Sequence, residues 1–169
     1  PERNDANIGS DFGKKETAGK KEEFPYLMAE LGGGLQPTKH RRPVASAADI
    51  GAMSLVKLGC GANLLGYYMY HGGSNPEGRN TTLHETKKTG SWNELPAYNY
   101  DFQAPVGEYG QVRESCREIK LLSMFLHDFG SGLCTMKPEF PSPVMDDAGN
   151  LETLRTCVRR NGERGYLFV

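Results

Sequence analysis

"ANLLGYYMYHGGSN", residues 62 to 75, decides how the rest of the chain is read. Its first nine residues, 62–70, are almost continuously apolar or aromatic. A strand with one wet face alternates apolar and polar residues. An unbroken run instead marks a strand covered on both faces, as in parallel sheets. The run then breaks into polar and glycine residues, His71-Gly72-Gly73-Ser74-Asn75. Upstream, "SAADIGAMSLVKL" (46–58) sets Ile50, Met53 and Val56 to Leu58 at helical spacing, with Gly59 as a stop and Ser46 or Thr38 as a start. Its small residues, Ala47, Ala48, Gly51, Ala52 and Ser54, suit close packing on a sheet. Farther upstream, "PYLMAELGGG" (25–34) has a strand-like run over 25–29 that delivers Glu30 to its end and opens into three glycines. A carboxylate at the edge of an apolar core is costly unless something pairs or uses it. Glycines beside it let backbone, or a ligand, come close.

Downstream, a polar loop runs from 71 to about 106, a length that often carries function. Over 108–128, Tyr109, Val112, Cys116, Ile119, Leu122, Phe125 and Leu126 form one apolar helical stripe, ended by Gly130. Pro138, Pro141 and Pro143 mark a linker over 131–143. After it, "LETLRTCVRR" and "RGYLFV" flank Asn161-Gly162, a strong hairpin signal. The order is strand, helix, strand, helix, hairpin. The expected organisation is a polar segment at 1–23, an α/β region at 24–130, the linker at 131–143, and the start of a β-rich domain at 144–169. Both β/α units put their polar, glycine-rich exits at the strand C-terminus, the face where β/α barrels carry active sites.

Composition narrows the partners. The chain has 169 residues, 37% hydrophobic and 24% charged, with a net charge of −1. That is ordinary for a soluble domain with a real core and gives no basic face for nucleic acid. Arg41-Arg42 and Arg159-Arg160 read as isolated, solvated pairs. No run approaches the roughly 18 apolar residues of a membrane span. Cys60, Cys116, Cys134 and Cys157 form no CxxC pair, and His40, His71, His84 and His127 do not fall at metal-ligand spacings, so neither a disulfide framework nor a metal site is expected. The absent disulfide pattern tilts toward the cytoplasm, and nothing else bears on the compartment. The chain opens on Pro1 and stops inside the apolar run "RGYLFV", which suggests a fragment of a longer protein.

Three stretches, "AELGGG", "YYMYHGGSN" and "YDFQAPVGEYG", follow one another in this order. Together they resemble glycoside hydrolase family 35, the β-galactosidases with a catalytic β/α barrel, over about residues 25 to 128. Ser74 stands where the family commonly has Thr. The resemblance implies that the chain is a fragment of a (β/α)8 TIM barrel, its last two β/α units, followed by the start of an all-β domain. It implies that Glu30, at the end of the seventh strand, is the catalytic nucleophile, and that residues 62–70 are the eighth strand. It implies retaining hydrolysis of terminal β-galactosides, with no metal or organic cofactor. The family's acid/base glutamate lies on a fourth strand that nothing before residue 25 supplies, so the remainder of a parent chain is expected to carry it, and this chain alone is expected to be inactive. The pattern near the sugar is often Tyr-Asp-Tyr-Asp-Ala-Pro. Here it is Tyr100-Asp101-Phe102-Gln103-Ala104-Pro105, so Phe102 keeps an aromatic face and loses a hydroxyl.

Retaining glycosidases need two carboxyl groups about 5–5.5 Å apart, one attacking the anomeric carbon and one handling the proton. Glu30 suits the first role, and its bland reading is a surface glutamate at a turn. Tyr100, Phe102, His71 and Asn75 are the candidate sugar contacts. His71 equally suits a structural hydrogen bond, and Asn75 a turn. Glu108 reads as a first-turn helix residue favoured by the dipole. Asp101 reads as a loop-shaping residue, Gly72 and Gly73 as backbone geometry, Trp92 as a loop anchor or a sugar platform, and Tyr67, Tyr68 and Tyr70 as packing. A second reading, a carbohydrate-binding or structural relative without catalysis, rests on Phe102.

Overall fold

The computed structural model describes residues 24–38, 40–76, 78–79, 90, 98–140, 150 and 152–169. The N-terminal polar segment 1–23 and Trp92 lie outside them. The fold is mixed α/β, with two helices and small sheets: β1 (Tyr26–Leu31), α1 (Ala47–Gly59), β2 (Ala62–Tyr67), β3 (Gly73–Ser74), β4 (Asn99–Tyr100), α2 (Glu114–Leu133), β5 (Lys137–Glu139), β6 (Cys157–Asn161) and β7 (Arg164–Phe168). Strand β1 pairs with β2, β3 with β4, and β5, β6 and β7 form a three-stranded sheet in that order. Neither helix is long and apolar enough to cross a membrane.

Helix α1 begins where its capping chemistry dictates. The Ser46 hydroxyl accepts from the Asp49 N–H (3.1 Å), and the Asp49 carboxylate accepts from the Ser46 N–H (2.9 Å) and hydroxyl (2.8 Å). This is a capping box with Asp in place of Glu. These bonds hold the Asp49 carboxyl below its usual range. The helix ends at Gly59, as its sequence predicts. Gly59 stays helical and lies against Phe168, where an added Cβ would stand 3.1 Å from the Phe168 side chain. The turn comes at Gly61, whose φ of 100° a side chain would resist.

Helix α2 starts six residues later than the apolar stripe predicts, at Glu114 rather than 108. Tyr109 and Val112 are 81% and 67% exposed. The chain before the helix is held in a turn instead, with the Gly107 N–H on the Gln111 carbonyl (2.8 Å) and the Gly110 N–H on the Gly107 carbonyl (2.9 Å). Nor does Gly130 end the helix, which runs on to Leu133. A mid-helix glycine costs only about 1 kcal/mol. The expected two-face burial of 62–70 is also corrected. The strand closes at Tyr67, and Leu64 is 47% exposed, because a two-stranded sheet covers little of either face.

Two compact units divide the chain. One takes in Met53–Leu65, Met124–Val169 and the described residues up to Met28. Its core holds Leu58, Cys60, Ala62, Leu133, Met136, Cys157 and Phe168. Of residues 131–143, expected as a linker, 131–140 carry the last turn of α2 and strand β5, and 141–143 lie outside the described residues. Pro138 fits there because β5 is an edge strand. The hairpin forms, with Asn161 opposite Arg164, so its loop is Gly162-Glu163 and the glycine takes the first central position at φ 59°. At the centre of this unit is Arg159, 1% exposed, which overturns its reading as solvated. Its guanidinium donates to the carbonyls of Leu58 (3.2 Å), Ala62 (3.0 Å), Leu133 (2.8 Å) and Met136 (3.1 Å), and to the Asn63 side chain (2.8 Å). The Cys157 thiol donates to the Gly59 carbonyl (2.8 Å), and burial, with Cys60 near it, pushes it up to about 11.

The other unit comprises Ala29–Ala52 and Gly66–Ser123. Leu31, Ile50, Phe102, Ala104 and Ile119 are its buried apolar residues. All the candidate site residues belong to it.

Candidate active site

Strand β1 carries Glu30 as its penultimate residue, exposed, beside the buried Leu31. Among the described residues no hydrogen bond or ion pair engages the Glu30 carboxylate. The next residue ties the strand to the 68–75 segment, for the Leu31 carbonyl accepts from the Tyr68 N–H at 2.8 Å. The glycines that follow make room for backbone. A Cβ on Gly33 would stand 2.2 Å from the Met69 carbonyl oxygen, and one on Gly34 2.1 Å from that of Phe102. Both distances are far inside contact range, so the two positions are closed to any side chain. The "GGG" loop thus answers to main chain approaching from two other segments.

The 68–75 segment leaves β2 through Tyr68, Met69 and Tyr70. The Val106 N–H donates to the Tyr70 carbonyl (2.9 Å), and the Gly72 N–H to the Val106 carbonyl (2.7 Å). The Asn75 N–H meets the Tyr98 carbonyl at 2.6 Å beyond the β3–β4 ladder. So the polar exit of β2 is stitched to residues 98–106 along most of its length. His71 is exposed, and its Nδ1 hydrogen-bonds the neighbouring Gly72 carbonyl. Tyr70 hydrogen-bonds the Cys116 thiol (3.7 Å), and that bond, then burial, raises the phenol above its ordinary range.

Residues 99–106 carry the aromatic group. Tyr100 and Phe102 stack with ring centres 4.3 Å apart, Tyr68 lies 6.0 Å from Phe102, and the Tyr68 and Tyr100 hydroxyls meet at 2.5 Å. Phe102, expected as a sugar contact, is 6% exposed, whereas Tyr68 is 38% exposed. Phe102 is therefore the floor on which the tyrosines rest, and Tyr68, read as packing, offers more open surface. The loop is strained. Phe102 and Gln103 have φ of 51° and 59°, at a cost of roughly 1–2 kcal/mol each.

Asp101 offsets this strain. Its carboxylate accepts from the backbone N–H of Gln103 (3.1 Å) and Glu108 (2.6 Å) and from Arg113 Nη2 (2.7 Å). Arg113 reaches on to the Ala104 carbonyl (2.5 Å). Gly72 is pressed so close that a Cβ there would stand 2.8 Å from the Asp101 carboxylate. Glu108, expected in a helix, lies before it instead, and its two carboxylate oxygens accept from Ser74 and Asn99. It therefore ties the β2 exit to β4. The Gln103 side chain donates to the Leu35 carbonyl (3.0 Å) and the Pro43 carbonyl (2.8 Å).

The structure brings Tyr100, Phe102, His71 and Asn75 into one connected assembly, joined to Glu30 through Leu31. Sequence reading missed Gln103 and Arg113. The signal for Gln103 was modest, an Asp two residues before it, the spacing of an Asx-turn. No protein-family model and no curated protein matches the chain.

Proposed function

We propose that this chain belongs to a retaining β-galactosidase-like glycoside hydrolase, contributing the last two β/α units of a (β/α)8 barrel and the opening of a β domain, with Glu30 as nucleophile. One observation carries the reading. The three stretches that bear the family resemblance, far apart in sequence, meet one another: Leu31 binds Tyr68, Gly33 abuts Met69, Gly34 abuts Phe102, and Tyr70 binds Val106. Glu30 stands next to that meeting point, uncommitted to any described partner. In the proposed reaction its carboxylate attacks the anomeric carbon as the glycosidic bond breaks. A second carboxyl group, on the remainder of the parent chain, protonates the leaving oxygen. That group then takes a proton from water, which displaces Glu30 and restores it. Tyr68 and Tyr100 supply the open aromatic surface for the sugar.

The test uses the full-length protein containing this chain and an aryl β-galactoside. Glu30→Gln abolishes turnover. Glu30→Gly regains it with azide, which enters the vacated space and gives an α-galactosyl azide. Unimpaired hydrolysis by Glu30→Gln overturns the assignment. The hydroxyl that Phe102 lacks, against the tyrosine of the resembled pattern, supports one further reading, a carbohydrate-binding or structural relative without catalysis. In that case the wild-type protein retains galactoside binding and shows no turnover.

A further inference from the structure

We infer that Gln103 is a positioning residue: its amide fixes the exit of β1, and with it Glu30, against the aromatic group of Tyr68, Tyr100 and Phe102. The inference rests on the reading of Glu30 as nucleophile. Nε2 carries two hydrogens, and two backbone carbonyls receive them, Leu35 at 3.0 Å and Pro43 at 2.8 Å. Leu35 directly follows the glycines that lead away from Glu30. On its other side Gln103 is held by its own backbone, through the N–H bonded to Asp101 (3.1 Å), in the same loop as Tyr100 and Phe102. A single side chain thus joins the segment leaving the carboxylate to the segment bearing the rings.

The chemistry of the contact is one-sided. Both partners are acceptors, so the group between them must be a donor. A carboxylate there sets lone pairs against lone pairs. Gln103 touches no reacting atom in this account. It acts by keeping the β1 exit in register, and a misplacement of about 1 Å at a reacting group costs on the order of a hundredfold in rate.

The test is kinetic and uses the full-length protein with an aryl β-galactoside. Gln103→Glu is isosteric and trades donors for acceptors. Gln103→Met keeps the length and has neither. At neutral pH both variants lose about 10–100-fold in kcat, with KM within about threefold of wild type. As pH falls through about 4–5 the new carboxyl takes up a proton and regains a donor. The deficit of Gln103→Glu relative to wild type then narrows, while that of Gln103→Met does not. A merely structural role lowers the melting temperature and leaves this pH-dependent ratio flat. Wild-type kcat in both variants, or parallel deficits at every pH, overturns the inference. Should Gln103→Glu fail to fold at neutral pH, Gln103→Met decides by its kcat alone. Wild-type protein without turnover removes the reading of the site as well. An active wild type with an inactive Glu30→Gln and unimpaired Gln103 variants removes this inference only.

Discussion

Arg159 sets a charge that no ordinary pH removes among the carbonyls that end two helices, Leu58 near the close of α1 and Leu133 at the close of α2. A cation is favoured at that end of a helix, and the fork of N–H groups gives a second donor to the Leu58 and Leu133 carbonyls, which also accept from the Gly61 and Met136 N–H (3.0 Å each). Replacing it by Met removes this whole set of charge-assisted bonds at once, although the Leu58 and Leu133 carbonyls keep their backbone donors. At about 1.5–3 kcal/mol for a hydrogen bond to a charged group, with partial relaxation, Arg159→Met destabilises the protein by about 3–5 kcal/mol. Urea unfolding measures this, and a loss below about 1 kcal/mol contradicts the account. None of it was legible beforehand. "VRR" looks the same whether the first arginine faces water or four carbonyls drawn from residues 58 to 136.

At the scale of elements, local chemistry was readable and boundaries were not. Helix α1 follows from its periodicity and its Ser46 cap, and the β6–β7 hairpin from Asn161-Gly162. The start of α2 was misplaced because Tyr109 and Val112 sit in phase with its apolar stripe, while the hydrogen bonds of the 107–111 turn hold the chain out of the helix. The capping box yields a pH prediction. Asp49 titrates below the usual 3.8 when folded, so the unfolded chain binds its proton first as acid is added. The contribution of the cap is complete above that usual value and fades as pH drops through the lower folded one. Asp49→Asn therefore melts below wild type near neutrality, and the gap closes in strong acid. A gap that stays constant down to pH about 2 contradicts this. Ser46→Ala, which removes the other half of the box, costs about 1 kcal/mol.

Taken as a whole, the chain leaves much apolar surface open. Leu27 in β1 and Leu64 in β2 are 53% and 47% exposed, Leu121, Met124 and Phe129 of α2 are 71%, 58% and 48% exposed, and Leu167 of β7 is 64% exposed. Strand faces and edges of this kind associate. The 169-residue chain by itself is therefore expected to bind a hydrophobic dye and to sediment with a concentration-dependent mass. A monodisperse monomer that excludes the dye contradicts this. The α/β character was visible in the sequence because it rests on local periodicity. The burial expected of 62–70 was not met, because covering a strand depends on neighbours that no local pattern encodes. Within the site, Glu30 and the aromatic residues drew notice by type and order. The roles of Phe102 as floor and Gln103 as clamp depend on φ values and long-range carbonyls.

The backbone contacts at Gly33 and Gly34 govern how far this sequence is free to drift. When a new side chain collides with another side chain, a second substitution elsewhere can trim the obstacle, and the pair survives together. Here the obstacles are the carbonyl oxygens of Met69 and Phe102, which every residue at those positions would also present. No compensating change exists. The two glycines are therefore fixed independently of their surroundings.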